Sequence, residues 1–138
     1  MTGPGGPLPT GTTAEIIELA AVVGALETTI VATPRASDRP VRIALVAGLP
    51  GLSTTRERID GYRRGLAAAG LPYDERLVAH GDSESACAER AAAALLSLAA
   101  PPTALVTANN EMTIGTLRAL RERGLSVPDD IALCCFDD

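Results

Sequence analysis

PTALVTANNEMTIGTLRALRERGLSVPDDIALCCFDD, residues 102–138, reads as one complete βαβ unit. Residues 103–107 are a short apolar run of strand formers, interrupted by Asn109 and Asn110. An amphipathic helix is expected from near Glu111. Met112, Leu117 and Leu120 recur at helical spacing, while Arg118, Arg121, Glu122 and Arg123 supply the polar side. Gly124 is a natural C-terminal stop, with Pro128 a few residues beyond it. The chain then re-enters an apolar strand over residues 131–136 and continues to Asp137 and Asp138. A strand, a crossover helix and a second buried strand imply parallel pairing, because the crossover returns the chain to the same edge.

The same alternation extends upstream. Ser83 leads into an alanine-rich helix reaching about residue 99, which Ala100, Pro101 and Pro102 break. Residues 75–79 read as a strand ended by His80, Gly81 and Asp82. Before it, residues 54–69 form a helix with Thr54 and Glu57 spaced as a capping box, closed by Gly70 and Pro72. Ile59, Tyr62 and Leu66 make its core stripe, and Gly61 and Gly65 let it sit close to a sheet. VRIALVA, residues 41–47, is a continuous apolar run of the kind buried on both faces. The order βαβαβαβ predicts an α/β fold, a doubly wound parallel sheet of about four strands with helices on both faces.

The first forty residues differ in character. Residues 1–12 are rich in Gly, Pro and Thr and are expected to be disordered. Residues 14–26 suggest a helix, 28–32 a short strand and 34–40 a polar linker. AAVVGALETTIVA has a faint look of a helix-turn-helix but lacks the basic residues a recognition helix needs. Residues 41–138 are therefore read as the domain, and 1–40 as a disordered segment followed by a helix and linker.

Composition narrows the function classes. Hydrophobic content of 46% with net charge −5 marks a globular chain. Its aromatic residues are only Tyr62, Tyr73 and Phe136. An acidic chain without aromatic platforms is a poor nucleic-acid binder by itself. Cys87, Cys134 and Cys135 form no CxxC and have no histidine cluster, so neither a disulfide framework nor a zinc site is expected. No apolar run approaches the roughly twenty residues of a membrane span. Glu18 and Glu27 interrupt residues 16–31, and no basic region precedes them, so no signal peptide is read there.

In an open parallel sheet, ligands bind beyond the carboxyl ends of the strands. That rule nominates residues 48–58, 80–83, 108–111 and 137–138. Arg58 offers a fork of donors, ionised Asp137 only accepts, and Asn109 does both. Adjacent hydroxyls of a polyhydroxylated ligand need that mixture. Blander roles compete: Arg58 paired with Glu57 or Asp60, Asn109 as a helix cap, Asp137 as a strand-end turn residue. Asp138 is read as turn or packing, and His80 as a surface or satisfied strand-end residue without a partnering nucleophile. No catalytic constellation is visible, and no cofactor or metal is expected. The glycine turn GLPGLST could hold a phosphate on backbone N–H groups, but without a Walker lysine it is a weak nucleotide signal.

Several motifs together resemble one known family. They are RIALVAG, S-T-x-R-E-R-x-x-G-Y, the GLP after that helix, TAN followed by NEM, G-x-L-R-A-L-R-E-R-G-L-x-V-P-D-D-I-x-L, and FDD. These resemble the effector-binding domain of lactose/galactose-type repressors, and specifically the C-terminal lobe of its periplasmic-binding-protein-like type I fold. The resemblance implies that Arg58, three before Gly61, contacts an effector. Asn109 of TAN and Asp137 of FDD would bind its hydroxyls. Ser83 stands where relatives often carry a stacking aromatic ring, so a stacked pyranose or purine is not expected. Family dimers place Thr113, Ile114 and Leu117 at an interface. The implied function is small-molecule, sugar-like effector sensing in a cytoplasmic, homodimeric repressor. Operator DNA would be read only by a separate helix-turn-helix domain, and a partner lobe would complete the sensor. The alternative on the same fold is the solute-binding receptor of a sugar importer, which requires export. An enzyme on such a sheet would need a fingerprint that is absent.

Overall fold

The computed structural model describes residues 28–30, 41–127 and 129–136. The expectations for residues 1–12, 14–26 and 34–40, and those for Asp137 and Asp138, lie outside them. The elements are β1 (Thr28–Ile30), β2 (Ile43–Ala47), α1 (Ser53–Ala68), β3 (Val78–His80), α2 (Ser85–Leu96), β4 (Ala104–Thr107), α3 (Asn110–Glu122) and β5 (Ala132–Phe136). They form one sheet in the order β1-β5-β4-β2-β3. The pairs β2–β3, β2–β4 and β4–β5 are parallel, as the crossover argument requires. β1 adds an antiparallel edge, with Thr29 opposite Cys135, so the parallel four-stranded sheet gains a fifth strand from before residue 41.

Alternation along each strand divides the core into two layers. Ile43, Leu45, Ala104, Val106, Ala132 and Cys134 pack with Tyr62 and Leu66 of α1 on one face. Ala44, Val46, Leu105 and Leu133 pack with α2 and α3 on the other, against Ala88, Ala92, Met112 and Leu120. Both faces are covered, which is why the strands read as unbroken apolar runs rather than alternating ones. Tyr62 finds a partner for its buried hydroxyl by donating to the Ile43 carbonyl at 2.5 Å. Burial raises its pKa, with smaller contributions from Tyr73 and Asp74.

Three local expectations are corrected. The strand expected from residue 75 begins instead as a 3-10 turn, Glu75–Leu77, because the Asp74 carboxylate accepts the Arg76 backbone N–H at 3.0 Å. That turn drives Leu77 into the core and leaves only Val78–His80 to pair at the edge. The Thr54–Glu57 capping box does not form: α1 starts one residue earlier, its N-cap is Leu52, and no side chain caps it. The alanine-rich helix ends at Leu96, where Ser97 Oγ and the Arg123 guanidinium both donate to the Ala93 carbonyl.

The buried face of α3 also differs from the expected stripe. Leu117 is 39% exposed and Ile114 43% exposed, while Met112, Gly115, Thr116, Ala119 and Leu120 face inward. Small residues occupy that arc because α3 lies very close to α2. A Cβ on Gly115 would stand 2.0 Å from the Ser85 carbonyl oxygen.

Candidate functional site

The sheet order places a topological switch point between β2 and β4. From β2 the chain turns into α1 on one face, and from β4 it turns into α3 on the other, so their carboxyl ends diverge around a gap. The gap is a depression of about 290 Å³. Gly48 follows β2 at its base, and Met112 of α3 contributes from the opposite face. Gly48 is buried, and its lack of a side chain keeps the base open. An added Cβ would sit 3.0 Å from Thr55 Oγ1 and 3.1 Å from Ser83 Oγ.

Three of the four expected ligand residues line this depression: Arg58, Ser83 and Asn109. The fourth, Asp137, lies outside the described residues; it follows β5, the parallel neighbour of β4. Arg58 donates to the Ala108 carbonyl at the end of β4, tying α1 across the switch point. Asp60, one of the two partners weighed for it, pairs with Arg64 at 2.9 Å. Asn109 is the N-cap of α3, with its side-chain oxygen accepting the Met112 N–H at 2.9 Å. The cap uses the acceptor and leaves the amide N–H groups for another partner, so capping and ligand contact are compatible.

The loop before α2 is held unusually. Asp82 and Ser83 adopt φ values of 52° and 63°, two successive non-glycine residues in the left-handed region. Each position stores roughly 1 kcal/mol of strain, and the pair brings Ser83 to the wall of the depression. His80, whose Nδ1 lies 2.7 Å from the Gly48 carbonyl, fastens this loop to the one after β2. That contact agrees with the reading of a satisfied strand-end histidine.

Thr54 and Thr55 also line the depression, and sequence reasoning had no specific signal for them. On sequence grounds Thr54 is a capping-box residue. The strand-end rule covered residues 48–58 as a block but could not say which side chains face inward. With α1 starting at Ser53, Thr55 falls on its buried side and is 5% exposed.

The expected interface residues are placed less uniformly. Ile114 and Leu117 lie on the outer surface of α3. Thr113 is half-buried, its hydroxyl 2.6 Å from Thr107 Oγ1 and donating to the Asn109 carbonyl. Among the described residues no group of three or more His, Cys, Asp or Glu could hold a metal, and no helix is long and apolar enough to cross a membrane. Cys134 and Cys135 are buried and Cys87 partly so.

Comparison with known proteins gives a consistent picture. Residues 39–138 match the family model described as a periplasmic binding protein-like domain. The HTH-type transcriptional regulator CelR of Thermobifida fusca is 40% identical over 97 residues, covering 70% of this chain and 28% of that protein. The HTH-type transcriptional regulator AscG of Escherichia coli (strain K12) is 38% identical over 96 residues, covering 70% of this chain and 29% of that protein. The chain thus spans less than a third of the length of these regulators. Among solved structures, the CelR–cellobiose complex superposes with a TM-score of 0.64 at 40% identity, over 67% of this chain and 28% of that one. The Escherichia coli repressor AscG superposes at 0.65 and 28% identity, over 87% of this chain and 39% of that one.

Proposed function

The chain belongs to the periplasmic-binding-protein-like family, in the branch carried by lactose/galactose-type transcriptional regulators, and on that premise we propose that it is the C-terminal effector-binding lobe of a repressor. Its ligand is a small polyhydroxylated, sugar-like metabolite. One observation carries this reading: Arg58, Ser83 and Asn109, from three separate elements, converge on one depression at the switch point of the sheet. We assign Asp137 as the acceptor that completes the set, since it follows β5 beside the carboxyl end of β4. CelR, solved with cellobiose, supports a ligand of this class.

Residues 41–138 form the lobe, with β1 as an added edge strand. A second lobe closes over the depression, and the effector acts by binding the closed arrangement more tightly than the open one, which shifts their populations. Operator DNA is read by a helix-turn-helix domain distinct from these residues, and the protein works in the cytoplasm as a homodimer. Ile114 and Leu117 lie at that interface, while Thr113 contributes mainly by fixing the start of α3. The site binds and releases its ligand without chemistry.

The test is a nitrogen-15 NMR titration of the chain with a panel of neutral sugars and sugar acids. A single lobe supplies only part of the contacts, so binding is expected to be weak. Saturable shifts should map to Thr54, Arg58, Ser83 and Asn109, and Asp137→Ala should remove them while the spectrum stays folded. Shifts confined to another surface, or an unchanged titration in Asp137→Ala, would refute the assignment.

A further inference from the structure

We propose that the corner of the depression formed by Gly48, Thr54, Thr55 and Ser83 is an oxyanion subsite, which takes the carboxylate or phosphate of the polyhydroxylated ligand. The proposal rests on the effector-lobe reading and names the ligand class more narrowly.

The first observation is the start of α1. Its N-cap is Leu52, no side chain caps it, and its first turn holds no acidic residue. The first helical hydrogen bond runs from Arg56 N to the Leu52 carbonyl. The N–H groups of Ser53, Thr54 and Thr55 therefore precede the ladder, and no described residue accepts from them. Such groups, with the partial positive charge of the helix end, are suited to an anion.

The second observation is independent of the helix end. Thr55 is 5% exposed, and its hydroxyl makes no hydrogen bond with any described residue. Its small remaining exposure opens on the depression, which it lines. The hydroxyl is thus open to a ligand oxygen in the depression; the fully buried side-chain polar atom without a partner among the described residues is Thr116 Oγ1, on α3. Ser83 Oγ approaches the same point from the other wall. A Cβ on Gly48 would lie 3.0 Å from Thr55 Oγ1 and 3.1 Å from Ser83 Oγ, so the two hydroxyls flank one small space. The left-handed backbone at Asp82 and Ser83 holds that second hydroxyl in place.

Charge agrees with the geometry. The chain carries a net charge of −5, yet the lining of the depression includes the Arg58 guanidinium. Hydroxyl donors, backbone N–H groups and a guanidinium together match the several lone pairs of an oxyanion. The ligand then lies with its charged end toward α1 and its hydroxyls toward Asn109.

The test uses simple anions first, so that it does not depend on knowing the sugar. The labelled chain is titrated with inorganic phosphate and with acetate, against sodium chloride at equal ionic strength. Saturable shifts are expected at the amides of Ser53, Thr54, Thr55 and Ser83. The stronger of the two anions separates a phosphate-bearing from a carboxylate-bearing ligand. Thr55→Val keeps the shape, removes only the hydroxyl, and should weaken anion binding about ten-fold, the effect of one hydrogen bond to a charged group. Ser83→Ala, in a half-buried loop outside the two cores, gives a second reading with little risk to folding. Shifts equal to those in chloride, or anion affinity unchanged in both variants, overturn the subsite. If neutral sugars move Arg58 and Asn109 while anions move nothing, the subsite falls and the sensor reading stands. If anions bind as expected while no polyhydroxylated compound does, the subsite stands and the sensor reading falls.

Discussion

Replacing Gly115 with alanine tests the packing that places one wall of the site. Gly115 sits on the buried arc of α3, against the first turns of α2. A Cβ there would meet the Ser85 carbonyl oxygen at 2.0 Å, the Glu89 nitrogen at 2.8 Å and the Ala88 Cβ at 2.9 Å. Two of the three obstacles are backbone atoms, so no rotamer change relieves the clash. The helices must separate by roughly 1 Å or more to restore ordinary contact. Overpacking of this kind costs about 3 kcal/mol, and the better helix propensity of alanine returns about 1 kcal/mol. The net loss is then about 2 kcal/mol, or roughly 10 °C in melting temperature for a domain of this size. Thermal and urea unfolding followed by circular dichroism measure it. Because α2 begins just after Ser83, the same variant should also weaken ligand binding. A Gly115→Ala protein as stable as the parent would refute the argument, since it would mean that α2 and α3 are not in contact there.

Other outcomes follow from the same geometry. Asn109→Ala should lose about 1 kcal/mol with the α3 cap, whereas Asn109→Asp keeps an acceptor for the Met112 N–H and should stay as stable as the parent. Both should lose ligand shifts, because both lose the amide donor; retained ligand binding in Asn109→Asp would leave Asn109 as a cap alone. Burial, with a smaller contribution from Cys135, pushes the Cys134 thiol up from 9.0 to about 12. The folded state then holds a proton that the unfolded chain releases. Stability from this group is complete below pH 9 and should fall between pH 9 and about 12, a slope that urea titrations of Cys134→Val should lack. Leu117→Glu should shift the sedimentation of a full-length homodimer carrying this lobe toward monomer without altering the melting temperature of the isolated chain. Unchanged sedimentation would remove α3 from the interface.

The layout of the sheet was legible because each buried strand is a short apolar run closed by a turn signal. The doubly covered strands β2, β4 and β5 were placed to within two residues. The edge was harder to read. At residues 75–77 the letters ERL fit a strand, but Asp74 captures the Arg76 N–H and bends the chain first, a local competition that hydrophobic pattern does not register. Leu117 was misplaced for a related reason. Counting large apolar residues finds 112, 117 and 120, whereas the inward arc uses Gly115, Thr116 and Ala119. Close helix packing selects small residues, and a search for bulk overlooks them. Gly61 and Gly65 are buried, but the severe approach belongs to Gly115.

The site was legible at the level of loops and not of side chains, and the difference comes from helix phase. Moving the start of α1 from Thr54 to Ser53 turns Thr54 from a cap into a first-turn residue and brings Thr55 onto the inner side. Departures from local preference gather there: an uncapped helix start, a Thr55 hydroxyl that opens on the depression, and two left-handed non-glycine residues. Elsewhere α3 is capped by Asn109, Tyr62 has its acceptor and the strand interiors alternate cleanly between two cores. The unpartnered Thr116 Oγ1 of α3 and the uncapped start of α2 are departures too, so it is the gathering of several around one depression that marks a requirement beyond folding. Each departure at the depression is an unmet donor or a strained segment that presents one. A ligand rich in acceptors would satisfy them at once, so the pattern of local violations points to the same corner as the switch point of the sheet.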